Sequence, residues 1–234
     1  MNFKVDERRT LTGPVKKTNL MRSDLSHASL DGSDLTYASL DYANLTRANI
    51  MSANLTGASL NGAELNRACL SFANLADSQL NGADLIQADL WDANMHGAFM
   101  HGVILIGANL KGSDLTGAEL AGANLTKADL RTANLTGADL SNADCTGANF
   151  FTANLTNAGL PGANLTNAEL RGANLTDAEL QGANLTGADL TSSELVGADL
   201  TGADLTRTTL TGANLVGADL TNVIGADLSR AILE

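Results

Sequence analysis

A five-residue spacing runs through nearly the whole chain and leaves few folds open to it. From Leu20 to Leu220, all 41 positions reached in steps of five are apolar, and 36 of them are Leu. The exceptions are Ile50, Met95, Met100, Cys145 and Phe150. Two residues before each of these positions, 33 of the 41 residues are Ala. The residue between is usually Asn, Asp or Glu, so the unit is A(N/D)L followed by two variable residues, often Thr then Gly. Such self-similarity at a fixed period is the signature of a repeat architecture.

Neither a helix nor a flat strand fits this period. Five residues of α-helix rotate about 500°, or ~140° net, which would scatter successive leucines around the axis. In a strand, Ala and Leu two apart share a side, but the odd step of five sends each following pair to the other side. Both constraints are met when each unit is a very short extended side followed by a corner, with every Ala and Leu pointing inward. The chain then coils around its own core. Small Ala and larger Leu fill that core in layers, and each coil pairs its backbone with the coils above and below.

The run ANLTGADL at Ala183 to Leu190 resembles the pentapeptide-repeat family, and the resemblance extends from Thr18 to Leu220 and, with a shift, to Leu233. It implies an all-β fold, a right-handed parallel β-helix solenoid of square cross-section with four pentapeptides per coil. Residues twenty apart then stack. The 41 units make about ten coils, and at ~4.8 Å per coil the rod is roughly 50 Å long.

The ends depart from the pattern, which divides the chain into an N-terminal cap segment (1–17), the β-helix (18–220) and a C-terminal register shift and cap (221–234). Residues 1–22 hold six bases against Asp6 and Glu7, a net charge of +4, and leave −16 for the rest of the rod. A nucleic-acid arm is one reading of this segment. A cap is the favoured one, because open terminal coils need covering, and Phe3, Val5, Leu11 and Val15 supply apolar contacts for it. After Leu220 the pattern resumes as Ala226–Asp227–Leu228 and Ala231–Ile232–Leu233, three residues late. Thr221 to Gly225 is therefore expected to be a bulge or loop, followed by a last partial coil or a short capping helix from Asp227. A homodimer contact through Ile224, Leu228, Ile232 and Leu233 resembles what family members do with their C-terminal ends.

Several function classes are disfavoured. A net charge of −12 and a pI near 4.5 argue against direct nucleic-acid binding. No apolar run approaches the ~18 residues that cross a bilayer, and MNFKVDERRT offers no secretory h-region, so a cytoplasmic address is expected. A convex rod without long loops offers no cleft for catalysis, and the chain is not expected to be an enzyme. His27, His96 and His101 are the only histidines, and no cofactor or metal is expected. Cys69 and Cys145 are nearly four coils apart, ~18 Å along the axis, which is beyond disulfide reach and consistent with a reduced compartment.

Function is then written on the outside, in columns of residues twenty apart. One column reads Glu119, Asp139, Gly159, Glu179, Asp199, Asp219, and 17 of the 26 acids occupy the position just before the central Leu. Family members that bind DNA gyrase are thought to imitate nucleic-acid phosphates in this way. Solubility is the competing account, and the chain lacks a long mid-rod loop and a Phe core, both features of the quinolone-resistance members. A second column, Trp91, Lys111, Arg131, Phe151, Arg171, suits either an acidic partner or cation–π ladders within the rod. Thr126, Thr146, Thr166, Thr186 and Thr206 form a third column, which suits β-propensity and lacks the paired array of an ice-binding surface.

The stretch least like the repeat places Ile86, Trp91, Phe99, Ile104 and Ile106 outward, around what is expected to be one surface. It is the first candidate for a partner site, with local packing as the alternative. The expected function is a non-catalytic rigid scaffold that engages an as yet unidentified protein partner through its surface. The alternative is a nucleic-acid-mimicking inhibitor or protector of a DNA-handling enzyme such as DNA gyrase.

Overall fold

The computed structural model describes residues 17–234; the expected cap contacts of Phe3, Val5, Leu11 and Val15 lie outside the described residues. From Asn19↔Ser39 to Asp204↔Ile224, the central residue of each pentapeptide forms a parallel bridge to the residue twenty further on. Four pentapeptides therefore make one coil. We number the sides by their central residues: side one carries Asn19, Ser39 and onward to Asp219, side two Asp24 to Ile224, side three Ser29 to Thr209, and side four Asp34 to Asn214. No helix occurs among the described residues.

The consensus residues follow from the backbone hydrogen-bond requirement. In the repeat Ala183–Gly187, Ala183 N–H closes a turn onto the Leu180 carbonyl (3.0 Å). Asn184 N–H donates to Ala163 in the preceding coil (2.9 Å), while Leu185 and Gly187 donate to Asp204 and Thr206 in the following coil (2.8 and 2.9 Å). The fifth donor, Thr186 N–H, is taken by the Asn184 side-chain oxygen at 3.0 Å. Every N–H of the unit thus has a partner, as a densely wound backbone demands. Asn and Asp are interchangeable in this task because both present an Oδ1 acceptor. In the turn Leu180–Ala183, positive φ falls on Gly182 (+62°) and not on Gln181, the pattern of a type II turn.

Inside, the Ala and Leu columns form one continuous core, with Leu35 to Leu200 almost wholly buried. Cys145 and Phe150 follow each other in one coil, so a side chain smaller than Leu stands next to one that is larger, and both are fully buried. Serines at the Ala position return their hydroxyls to the backbone: Ser113 Oγ donates to Leu110 (2.7 Å) and Ser193 Oγ to Leu190 (2.8 Å). Ser78 Oγ is buried without a hydrogen-bond partner among the described residues.

The C-terminal end differs from the expected bulge. Val223 N–H bonds to the Leu220 carbonyl (3.3 Å) and Ile224 bridges Asp204, so Thr221–Gly225 is a regular pentapeptide with Gly225 in the Leu place. The following unit is the irregular one. It reaches Leu228 after three residues instead of five, Ala231 N–H bonds back to Leu228 (3.1 Å), and Ile232 bridges Asn214 eighteen residues earlier. One side of the last coil is thus shortened by two residues, and residues 226–233 form a partial coil. Its apolar edge stays open, with Ile224, Ile232 and Leu233 exposed.

Candidate functional site

Because the backbone turns a corner every five residues, neighbouring repeats point outward in different directions. The five residues expected to share a surface are distributed accordingly. Phe99 stands on side one, 40% exposed, and bridges Glu119. Ile104 lies half-buried on side two, and Ile86 and Ile106 stack half-buried at the adjoining corner between sides two and three. Trp91 is at the corner between sides three and four, 42% exposed, with its ring edge-on to Phe72 at 4.7 Å between centroids. The three isoleucines are near one corner, while Phe99 and Trp91 face elsewhere.

The acidic column is continuous along side one, with bridges joining Glu119, Asp139, Gly159, Glu179, Asp199 and Asp219 in succession. Its aspartates have structural work as well. Asp139, Asp199 and Asp219 each accept the first N–H of the next turn, from Ser141, Thr201 and Thr221, all at 2.9 Å. Hydrogen bonds from the Thr201 hydroxyl and backbone, with Gln181, hold the Asp199 carboxyl below the usual carboxylate range. The Thr221 hydroxyl and backbone do the same for Asp219, against a smaller opposing push from Asp199. Glu119 receives His101 Nε2 at 2.7 Å.

The column of bases and aromatics satisfies itself in part. Arg131 pairs with Asp129 through Nε and a terminal nitrogen (2.8 and 2.5 Å), and that fork lowers the Asp129 pKa. Arg171 lies 3.8 Å from Asp189. Cation–π contacts occur elsewhere: Lys17 over Tyr37 at 5.8 Å and Arg22 over Tyr42 at 5.7 Å. Both tyrosines are 58% exposed, on the two corners that flank side one, and their rings lie over Gly57 and Gly62 of the next coil.

Sequence reasoning passed over one further arrangement. His27, Arg47 and Arg67 stack at the corner between sides two and three, and with Thr46, Asn66 and Ile86 they line a concavity of about 460 Å³. The signal was available in the sequence as bulky residues at a position that glycine elsewhere occupies. A smaller concavity, about 300 Å³, lies beside the shortened side and includes Thr208, Asp227 and Arg230. Among the described residues, no group of three His, Cys, Asp or Glu side chains is placed to hold a metal ion. Cys69 and Cys145 are unpaired, and burial pushes the Cys145 thiol up to about 12. No helix of the described residues is long and apolar enough to cross a membrane.

No curated protein matches the chain in sequence. Among solved structures, it is similar to HetL, a pentapeptide repeat protein involved in heterocyst differentiation regulation from the cyanobacterium Nostoc sp. strain PCC 7120. The identity is 36% over 93% of this chain and 90% of HetL, with a TM-score of 0.47. It is also similar to a pentapeptide repeat protein from the Arabidopsis thaliana thylakoid lumen (32% identity, 47% of this chain and 70% of that one, TM-score 0.19). QnrB1, a plasmid-mediated fluoroquinolone resistance protein, aligns at 20% identity over 77% of this chain and 89% of its own, with a TM-score of 0.41. The family model described as Pentapeptide repeats (8 copies) matches in overlapping windows from 18–57 through 193–234. With that match along the whole described rod and a coil of four five-residue sides, the chain belongs to the pentapeptide repeat family and has its right-handed quadrilateral β-helix fold.

Proposed function

We propose that this protein is a non-catalytic, rigid scaffold that acts by presenting its outer surface to a partner protein. One observation carries the reading: the repeat consumes its own chemistry. In a unit with Asn or Asp at its centre, such as Ala183–Gly187, all five N–H groups and both inward side chains are committed to the coil, so variation from place to place falls on the outward side chains. A surface that varies on a fixed frame is suited to recognition. Rigidity helps, because a preformed surface loses little conformational freedom on binding. The partner-bearing surface includes Ile86, Ile104 and Ile106, with Phe99 on the neighbouring side. In Phe99→Asp with Ile106→Asp, we expect a nearly unchanged melting temperature and loss of a partner that the native protein retains in affinity capture. Substrate turnover that disappears on mutating a defined residue set would overturn the scaffold reading.

A second reading concerns side one alone. Its line of carboxylates, kept ionised by the turn hydrogen bonds at Asp199 and Asp219, has the charge needed to imitate a nucleic-acid backbone toward a DNA-handling enzyme such as DNA gyrase. Inhibition or protection in a gyrase supercoiling assay, lost when Glu119, Asp139, Glu179, Asp199 and Asp219 are changed to Asn or Gln, supports it. No effect at micromolar protein removes it. Self-association through the open apolar edge at Ile224, Leu228, Ile232 and Leu233 is a further part of the proposal, and a monomeric mass by light scattering at high concentration would exclude it.

A further inference from the structure

We propose that the corner between sides two and three, over its first four coils, binds a carboxylate-bearing segment of a partner protein. This rests on the scaffold reading and specifies the chemistry of the partner. The site is the concavity lined by His27, Thr46, Arg47, Asn66, Arg67 and Ile86.

The backbone supplies the first reason. His27, Arg47 and Arg67 sit at φ of 58°, 56° and 57°, a left-handed conformation that disfavours any residue with a Cβ. Further along the same column, Gly107, Gly147 and Gly187 alternate with Lys127, Asn167 and Arg207, so the stretch from His27 to Gln87 is the one that glycine does not interrupt. Three bulky cationic or polar side chains kept in succession against that preference point to a role outside folding.

Charge supplies the second. Arg47 and Arg67 are one coil apart, about 4.8 Å in rise, where like charges repel. Among the described residues, neither forms an ion pair, whereas Arg131 and Arg171 each find an aspartate. Glu64, Asp84 and Asp89 stand on the two adjoining sides and do not bridge to them. Arg67 Nε donates instead to Gln87 Oε1 at 2.9 Å, which fixes the guanidinium while leaving its terminal nitrogens for another acceptor.

The third reason is which groups in the groove remain uncommitted. Asn66 is fully engaged by the rod, accepting from Ile86 N–H (3.0 Å) and donating to Asp84 (2.9 Å). What faces a ligand is therefore two guanidinium groups, an imidazole and the Thr46 hydroxyl beside apolar Ile86. Guanidinium forks match carboxylates bidentately, and Ile86 offers contact to a neighbouring aliphatic side chain. A peptide can bring two carboxylates and an apolar residue together. A nucleic-acid strand would bring a phosphate at every nucleotide, and those beyond the two arginines would meet Glu64, Asp84, Asp89 and the field of a chain of net charge −12.

Fluorescence anisotropy with the full chain tests this, using a labelled EELEEL peptide, a QQLQQL control and a labelled oligothymidylate at low ionic strength. Saturable binding of EELEEL, at least tenfold tighter than either control, is expected. Arg47→Gly with Arg67→Gly, which installs the residue the backbone prefers, is expected to weaken EELEEL at least tenfold without lowering the melting temperature. Arg47→Lys with Arg67→Lys is expected to fall between the two. Absence of saturable EELEEL binding, equal binding by the double Gly variant, tighter binding of oligothymidylate, or a lowered melting temperature in the double Gly variant would each overturn the proposal. Failure of the groove leaves the scaffold reading standing if a captured partner is still lost in Phe99→Asp with Ile106→Asp. Turnover by the protein would end the scaffold reading whatever EELEEL does.

Discussion

The first coils and the later ones share one backbone but dress its corners differently. The second turn residue has positive φ throughout, yet it is glycine at only 4 of 16 places from Lys17 to Asp92, against 16 of 25 from Gly97 to Gly217. The later exceptions are mostly Asn, Asp, Ser or Thr, whose short polar side chains tolerate this conformation. The early ones include His27, Tyr37, Tyr42, Arg47, Arg67 and Phe72. The core beneath is the same Ala and Leu throughout, so the contrast lies in the corners: Tyr37, Tyr42 and Phe72 pack against a base or a ring, whereas Arg47 and Arg67 form no ion pair among the described residues. Arg, Tyr and Trp are the residues that anchor protein interfaces, and here they gather in the region that departs from the glycine rule.

The contrast can be broken most strongly at Gly62. Gly62 and Gly82 occupy one corner column with φ of 62° and 63°, but a Cβ at Gly62 would come within 2.7 Å of the Tyr42 ring, whereas one at Gly82 would meet nothing within 4 Å. Gly82→Ala should therefore cost about 1 kcal/mol for backbone strain, and Gly62→Ala about 2 kcal/mol because the tyrosine must also leave its seat. Denaturant unfolding of the two variants measures the difference. Equal costs would show that the ring lies there without favourable contact.

A smaller effect is expected inside. Ser78→Ala removes a buried hydroxyl that has no partner among the described residues and installs the consensus residue, which should stabilise the rod by about 1 kcal/mol. Ser113→Ala and Ser193→Ala, whose hydroxyls are bonded to the backbone, should be close to neutral under the same thermal melt.

Acid should loosen the coils whose turns depend on an ionised aspartate. Asp129, Asp144, Asp199, Asp204, Asp219 and Asp227 are among the aspartates held below their ordinary value. A carboxylate whose folded pKa lies below its unfolded one binds fewer protons when folded. Its contribution is complete above the unfolded value near 3.8 and is lost as pH falls through the folded value. Amide exchange should stay flat from pH 7 to about 4.5 and, once corrected for intrinsic rates, show loss of protection below pH 4 in the coils that hold these aspartates. Replacing Asp199 and Asp219 by Asn keeps the Oδ1 acceptor and should flatten that acid response.

How much of this was legible in the sequence depended on which side of the chain the residues faced. Inward positions are dictated by volume and period, so Leu20 to Leu215 and their alanines were assigned to the core from spacing alone, and burial agrees. Four repeats per coil came from family resemblance, because five-fold spacing does not fix the number of sides. The role of the Asn or Asp before each Leu was not visible. Its composition looked like charge, whereas Thr186 N–H on Asn184 shows a turn acceptor. At the C-terminus, counting located the shift but not the unit that carries it: Gly225 in a Leu place disguised a regular pentapeptide, and the shortened unit is the next one. Outward patches were hardest, since Phe99 and Ile104 are five residues apart yet face different sides.

The central claim is that the corner of His27, Arg47 and Arg67 carries side chains the fold would sooner be without. The melting temperature of the triple variant His27→Gly, Arg47→Gly, Arg67→Gly tests it most directly. Relief of three left-handed non-glycine residues and of one like-charge stack outweighs the extra freedom of glycine in the unfolded chain, and each substitution should stabilise by roughly 0.5 kcal/mol. The account predicts a melting temperature above that of the native protein; a lower one would mean that the stack holds the coils together, and would contradict it.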